Sequence, residues 1–266
     1  MDRLGSRDSP IRSPLVSVFS VDDRERVGDR VLELAASDER VIAGAVVGSL
    51  AGDDGDRWSD LDLTFSVVDG VSLVDVLSDW TRSLVDDFKA IHLFDLPSGA
   101  SIYRVFLLPG CLQLDLSFTP AYTFGANGPK FKLLFGEAVE KAQDEPPDPR
   151  ELFGYAVHHA LRARFCIERG RYCQAEYWIS GLRDYALSLA CRIRRLPEYE
   201  GRGFDDLPAD VRERFADALV SSLDREELLR ALDRAVTALL RETSEVREMA
   251  AAAEPELRTL TATWGT

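Results

Sequence analysis

Histidine is scarce in this chain. Three occur in 266 residues, His92, His158 and His159, and none stands in a nucleophile–histidine or metal-triad pattern, which leaves hydrolytic chemistry without its usual base. No arginine precedes a histidine by four to six residues, so an Arg-x4-6-His ribonuclease signature is missing as well. The four cysteines, Cys111, Cys166, Cys173 and Cys191, form no C-x-x-C pair and no zinc spacing, which removes a redox or structural-zinc reading. Free thiols in a reducing cytosol are expected, three of them in apolar settings where cysteine acts as a small buried hydrophobe. No run approaches the roughly 20 apolar residues of a membrane span. The opening MDRLGSRDSP has no apolar centre and reads as a loose tail rather than a secretory leader.

Positive charge is also short, and the lysines number only four: Lys89, Lys130, Lys132 and Lys141. Formal net charge is −14. Residues 1–150 hold 26 acids and 15 bases, a net of −11, and residues 151–266 hold 20 and 17, a net of −3. Such a front half repels phosphate backbones and attracts cationic small molecules, so no nucleic-acid partner is expected.

Local patterns divide the chain in two. Ser20 with Asp23 forms a capping box, and Val27, Val31 and Leu34 follow at helical spacing, so a helix is expected over 21–37. VIAGAVVGSL (41–50) reads as a buried strand and DLDLTFSVV (60–68) as a second. Residues 71–88 form a helix with Val74, Leu77, Leu84, Val85 and Phe88 as its apolar positions. AIHLFDLP, SIYRVFLLP and LQLDLSFTP are three more strands, each stopped by proline. KAQDEPPDPR (141–150) is a boundary loop. Beyond it the periodicity is helical, with Leu228, Leu232, Val236 and Leu239 on one stripe. The expected class is α+β: an α/β domain with a mixed sheet over 1–145, then a helical bundle over 146–266.

Three acids sit where strands should be apolar. Asp60 and Asp62 are two apart, hence on one face of their strand, while Leu61 and Leu63 face the core. Asp115 lies between Leu114 and Leu116 in another strand. A lone carboxylate there costs several kcal/mol unless paired or metal-bound, and adjacent carboxylates repel. If the two strands are neighbours, the three converge on a divalent cation such as Mg2+, which accepts carboxylate oxygens and keeps positions open for phosphate. Asp60 and Asp62 then hold the magnesium, and Asp115 either ligates a second metal or takes a proton from an attacking hydroxyl. Upstream, Gly48 allows close approach of a phosphate and Ser49 adds a hydroxyl donor. Ser59, Lys130 and Lys132 are further phosphate-contact candidates. The two lysines alternate and so are expected to share a face.

Gly48-Ser49, a short spacer, Asp60-x-Asp62 and the later Asp115 together resemble the signature of the nucleotidyltransferase superfamily that includes DNA polymerase beta. The SDLDL form, with a helical bundle after the α/β domain, looks most like bacterial aminoglycoside and lincosamide nucleotidyltransferases. The motif covers roughly residues 48–63 and 112–118. The resemblance implies transfer of a nucleoside monophosphate, AMP from ATP, to a hydroxyl of a small cationic acceptor, with Mg2+ and release of pyrophosphate. It makes Asp60, Asp62 and Asp115 both catalytic and metal-binding. It also implies that the helical half presents acids and aromatics to the acceptor, with Glu176, Trp178, Arg183 and Asp184 as candidates. Two alternatives stay open: the same chemistry on a protein, as in toxin–antitoxin nucleotidyltransferases, and a catalytically silent nucleotide-binding protein.

Overall fold

A computed structural model describes residues 18–52, 55–141 and 145–262. The N-terminal tail expectation falls on residues 1–17, outside the described ones. The chain forms two compact units, Met1–Asp144 and Glu145–Thr266.

The first unit starts with α1 (Val21–Ser37). Its start is fixed by the expected capping box: the Ser20 hydroxyl accepts the Asp23 N–H at 3.1 Å, and the Asp23 carboxylate accepts the Ser20 N–H at 2.9 Å. Strands β1 (Val41–Val47) and β2 (Leu61–Val67), helix α2 (Leu73–Phe88), and strands β3 (Ile91–Ser98), β4 (Ser101–Leu108), β5 (Leu112–Pro120) and β6 (Phe131–Phe135) follow. The sheet order is β3-β4-β5-β2-β1-β6. Among the described residues, only β2 and β5 pair in parallel; the other neighbours are antiparallel, so the sheet is mixed.

One sheet face is apolar. Leu61, Leu63 and Phe65 of β2 and Leu114, Leu116 and Phe118 of β5 bury against Val27 and Val31 of α1 and Leu77, Trp80 and Leu84 of α2. The Trp80 indole meets Phe65 and Phe118 edge-on, with centroids 5.0 and 4.9 Å apart. The buried stripe of α2 differs from the expected one. Val76, Leu77, Trp80 and Leu84 face the sheet, while Val74 and Val85 are exposed. Those two valines share a flank of the helix, and the larger Trp80 takes the sheet contact. The AIHLFDLP strand exists, but as the edge strand β3, exposed along its whole length.

The second unit is helical: α3 (Pro149–Glu168), α4 (Tyr172–Ile193), α5 (Ala209–Ala216), α6 (Arg225–Leu239) and α7 (Arg247–Thr261). Leu228, Leu232, Val236 and Leu239 are fully buried, as their spacing demands. Cys166 and Cys191 are buried, whereas Cys111 and Cys173 are exposed, so two thiols rather than three lie in the core. Cys111 sits in a Pro109–Cys111 turn with positive φ, and Cys173 in the first turn of α4, neither of which faces a core.

Between α6 and α7, Glu242 is 4% exposed and takes Nη1 of Arg194 at 2.7 Å and Nη2 of Arg214 at 2.8 Å. Removing one member of a buried charge group strands the others. Glu242→Ala is therefore expected to destabilise this unit by about 3 kcal/mol, read as a lower denaturant midpoint at an unchanged m-value.

Candidate active site

The second sheet face is polar in its middle. In the parallel β2–β5 ladder Asp62 is the register partner of Asp115, Thr64 of Ser117 and Ser66 of Thr119. Paired residues of a ladder share a face, so acids and hydroxyls form one row opposite the apolar core. The Ser117 hydroxyl donates to that of Thr64 at 2.7 Å, and those of Ser101 and Thr119 are also 2.7 Å apart. Asp60 lies one residue before β2 begins, on the same side as Asp62. Carboxylate oxygens of Asp60, Asp62 and Asp115 all lie within 4.8 Å of one another, and all three residues are half-buried.

Two carboxylates at that separation repel by about 3 kcal/mol at an effective dielectric of 20. Burial pushes the Asp115 carboxyl above its ordinary value, the Asp60 charge adds to this, and Gln113 opposes it. The Gln113 amide donates to both Asp115 oxygens at 3.1 Å. Sequence reading missed Gln113, although it lies two residues before Asp115 and so on the same strand face. With its folded value raised, ionised Asp115 costs stability. That cost is absent below the unfolded value of about 3.8, appears as pH rises through the interval up to the folded value, and persists above it. Asp115→Asn is accordingly expected to raise Tm at pH 7 in chelator, with the gain vanishing near pH 3. A lower Tm for that variant at pH 7 would contradict the stated charge balance.

Gly48 opens a short 3-10 turn, Gly48–Ala51, which ends β1 at Val47, earlier than the expected strand end. Its φ is +69°, and a Cβ placed there would lie 2.2 Å from Oδ2 of Asp62. The space left by the missing side chain is therefore filled by the Asp62 carboxylate, not held open for a phosphate. Ser49 follows in the same turn, and its hydroxyl makes no hydrogen bond among the described residues. The Ser59 hydroxyl is occupied locally: it accepts the Asp56 N–H at 3.0 Å and lies 3.3 Å from Oδ1 of Asp56.

The two lysines part company. Lys132 in β6 is the register partner of Val46, which pairs in turn with core-facing Leu63, so it lies on the helix-covered face. Lys130 precedes the first residue of β6, where alternation does not bind it. It lines a cavity of about 150 Å³ on the aspartate face with Thr64, Tyr103, Ser117, Asn127 and Lys141. The expected shared face does not exist, because the strand starts one residue after Lys130.

Within the second unit, α3 and α4 form an open groove of about 480 Å³ lined by His159, Tyr177, Ser180, Asp184, Tyr185 and Ser188. Of the four α4 candidates only Asp184 lines it. Glu176 accepts the Ser180 hydroxyl at 2.7 Å, and Arg183 reaches Asp184 at 3.3 Å. Trp178 is half-buried, packed against the helical core with its ring 4.8 Å from that of His159. His159 lies against Gly181, where a Cβ would come within 2.6 Å of its ring, and Nδ1 donates to the Tyr155 carbonyl at 2.7 Å. Burial lowers the His159 value, so the neutral ring leaves Nε2 as an acceptor. Tyr177, Gly181, Asp184 and Ser188 follow helical spacing, a signal that would have shown this face in the sequence.

No protein-family model matches the chain, and no curated protein matches it. Among solved structures the chain is similar to an aminoglycoside 6-adenyltransferase from Bacillus subtilis, at 13% identity over 90% of this chain and 99% of that one, TM-score 0.37. It is similar to the CdnE cyclic dinucleotide synthase of Elizabethkingia meningoseptica with GTP and Apcpp, at 9% identity over 86% and 81%, TM-score 0.28. A third is the CD-NTase CdnG of Bradyrhizobium diazoefficiens in complex with GTP, at 15% identity over 91% and 80%, TM-score 0.27.

Proposed function

We propose that the protein is a divalent-metal-dependent nucleotidyltransferase of the superfamily that includes DNA polymerase beta. One observation carries this reading: three carboxylates from two adjacent parallel strands place oxygens within 4.8 Å of one another. The donor set is all-oxygen and anionic, which suits a hard cation such as Mg2+, with Asp60, Asp62 and Asp115 as its holders. When bound, such a cation neutralises triphosphate charge.

The protein's own groups then do the following. Asp115 accepts the proton of the substrate hydroxyl as its oxygen bonds to the α-phosphorus. The bond to the leaving oxygen breaks, a nucleoside monophosphate is transferred and pyrophosphate departs. The Ser49 hydroxyl, beside Gly48, and the Lys130 ammonium donate to phosphate oxygens. ATP is the co-substrate in this reading. The acceptor is a small molecule carrying a hydroxyl and amines, of the aminoglycoside type. Support for the amines is the α3–α4 groove, where Asp184, the Nε2 acceptor of His159 and the tyrosine rings suit ammonium groups. On this reading the first unit is the catalytic domain and the second serves acceptor recognition. Among the described residues no helix is long and apolar enough to cross a membrane.

The experiment is incubation with each labelled nucleoside triphosphate, Mg2+ and a panel of amino sugars. Label on a small molecule supports the reading. Label on a protein moves the acceptor to a polypeptide, and metal-dependent nucleotide binding without turnover leaves a silent binder.

A further inference from the structure

The loop that delivers Asp60 is held from below by a residue with no assigned role. Arg24, in the first turns of α1, is 8% exposed. Its Nη1 donates to the Asp56 carbonyl at 2.7 Å and to the Ser59 carbonyl at 2.7 Å. Ser59 immediately precedes Asp60, so one nitrogen grips both ends of the turn that leads into the site.

This placement is unfavourable for an arginine in isolation. A cation near a helix N-terminus opposes the helix dipole, and a buried arginine is rare unless paired. Among the described residues no carboxylate pairs with Arg24, so the two carbonyls are its compensation. The turn is also laced internally, with the Trp58 N–H on Oδ1 of Asp56 at 2.8 Å and the Ser59 N–H on the Asp56 carbonyl at 3.3 Å. One helical turn along α1, Gly28 brings the helix backbone against Leu61, whose Cδ2 would lie 3.7 Å from a Cβ at that position. The same helix face thus fixes the residue before Asp60 through Arg24 and the residue after it beside Gly28.

We infer that Arg24 is a positioning residue for the metal site: by holding the 56–59 turn through two carbonyls, it sets where the Asp60 carboxylate stands relative to Asp62 and Asp115. The inference rests on the metal-site reading above. Groups that orient metal ligands from behind characteristically change metal affinity by 10- to 100-fold when removed, whereas a purely structural arginine changes only stability. The planar, weakly hydrated guanidinium matters here, since lysine's ammonium is strongly hydrated and sits on a flexible stem, so it holds two buried carbonyls less firmly.

The test is Mn2+ binding to the full chain without nucleotide, read from the electron paramagnetic resonance signal of free Mn2+. Wild type, Arg24→Met, Arg24→Lys and Asp62→Asn are compared, each checked for wild-type far-ultraviolet circular dichroism. Arg24→Met is expected to bind Mn2+ at least about tenfold more weakly while folded. Arg24→Lys, which keeps the charge and loses the planar guanidinium, is expected to fall between it and wild type. Wild-type affinity in folded Arg24→Met overturns the inference. If that variant does not fold, wild-type affinity in Arg24→Lys overturns it. Should Asp62→Asn bind as tightly as wild type, the metal site itself fails and Arg24 loses its role with it.

Discussion

Asp60→Asn is expected to lower nucleotide transfer by at least about 10³-fold while the protein stays folded. The substitution keeps the size and shape of the side chain and removes one negative charge from a group whose oxygens lie within 4.8 Å of one another. A charge clamp on a phosphoryl group contributes several kcal/mol to the barrier, and about 4 kcal/mol corresponds to a thousandfold. The fold has no reason to suffer, because Asp60 precedes β2 and its neighbour Leu61 supplies the core contact. In chelator the variant should be at least as stable as wild type, since one repulsion is gone. The readout is label transfer across a Mg2+ titration. Activity like that of wild type at any Mg2+ concentration would remove the metal-site proposal.

Gly48→Ala is expected to reduce transfer by about 10²-fold or more, although residue 48 carries no functional group. The backbone there has φ +69°, and the added Cβ would stand 2.2 Å from Oδ2 of Asp62. Either the carboxylate or the turn must move by an ångström or so, and a displacement of that size in a reacting centre costs about a hundredfold. The left-handed backbone adds roughly 1 kcal/mol of instability for a residue with a side chain. Unlike Asp60→Asn, this variant keeps all three negative charges. It should therefore still bind Mn2+, more weakly, with kcat falling further than Tm alone explains. Full activity would show that the Gly48–Asp62 contact does not set the site's geometry.

Much of the first unit can be read from residues alone, for identifiable reasons. The start of α1 is written in Ser20 and Asp23, whose reciprocal bonds are local. The convergence of the aspartates follows from period-two alternation plus a single assumption, that the 60–67 and 112–120 strands are neighbours. The β2–β5 register shows that they are. What escaped depends on contacts distant in sequence. Val74 and Val85 lost the α2 core face to Trp80, because the sheet decides which side of a helix is covered. The shared face of Lys130 and Lys132 failed at a strand end that no local pattern marks. On α4, the resemblance pointed to Glu176, Trp178 and Arg183, none of which lines the groove: Glu176 and Arg183 bond within α4 itself and Trp178 packs on the helical core. Arg24 has no sequence signal at all: its partners are main-chain carbonyls, which every residue carries.

The parallel pairing of β2 with β5 also sets when the site can exist. Thr64 and Ser117, neighbours across that ladder, are 53 positions apart in the chain, with α2, β3 and β4 in the segment between them. Non-local closure of this kind comes late and slowly. The repulsion of Asp115 by Asp60 and Asp62 is thus felt only when β5 joins β2. A divalent ion present during refolding should speed that stage without altering earlier ones, and a nascent chain ending before Asp115 has no complete cluster with which to capture the ion.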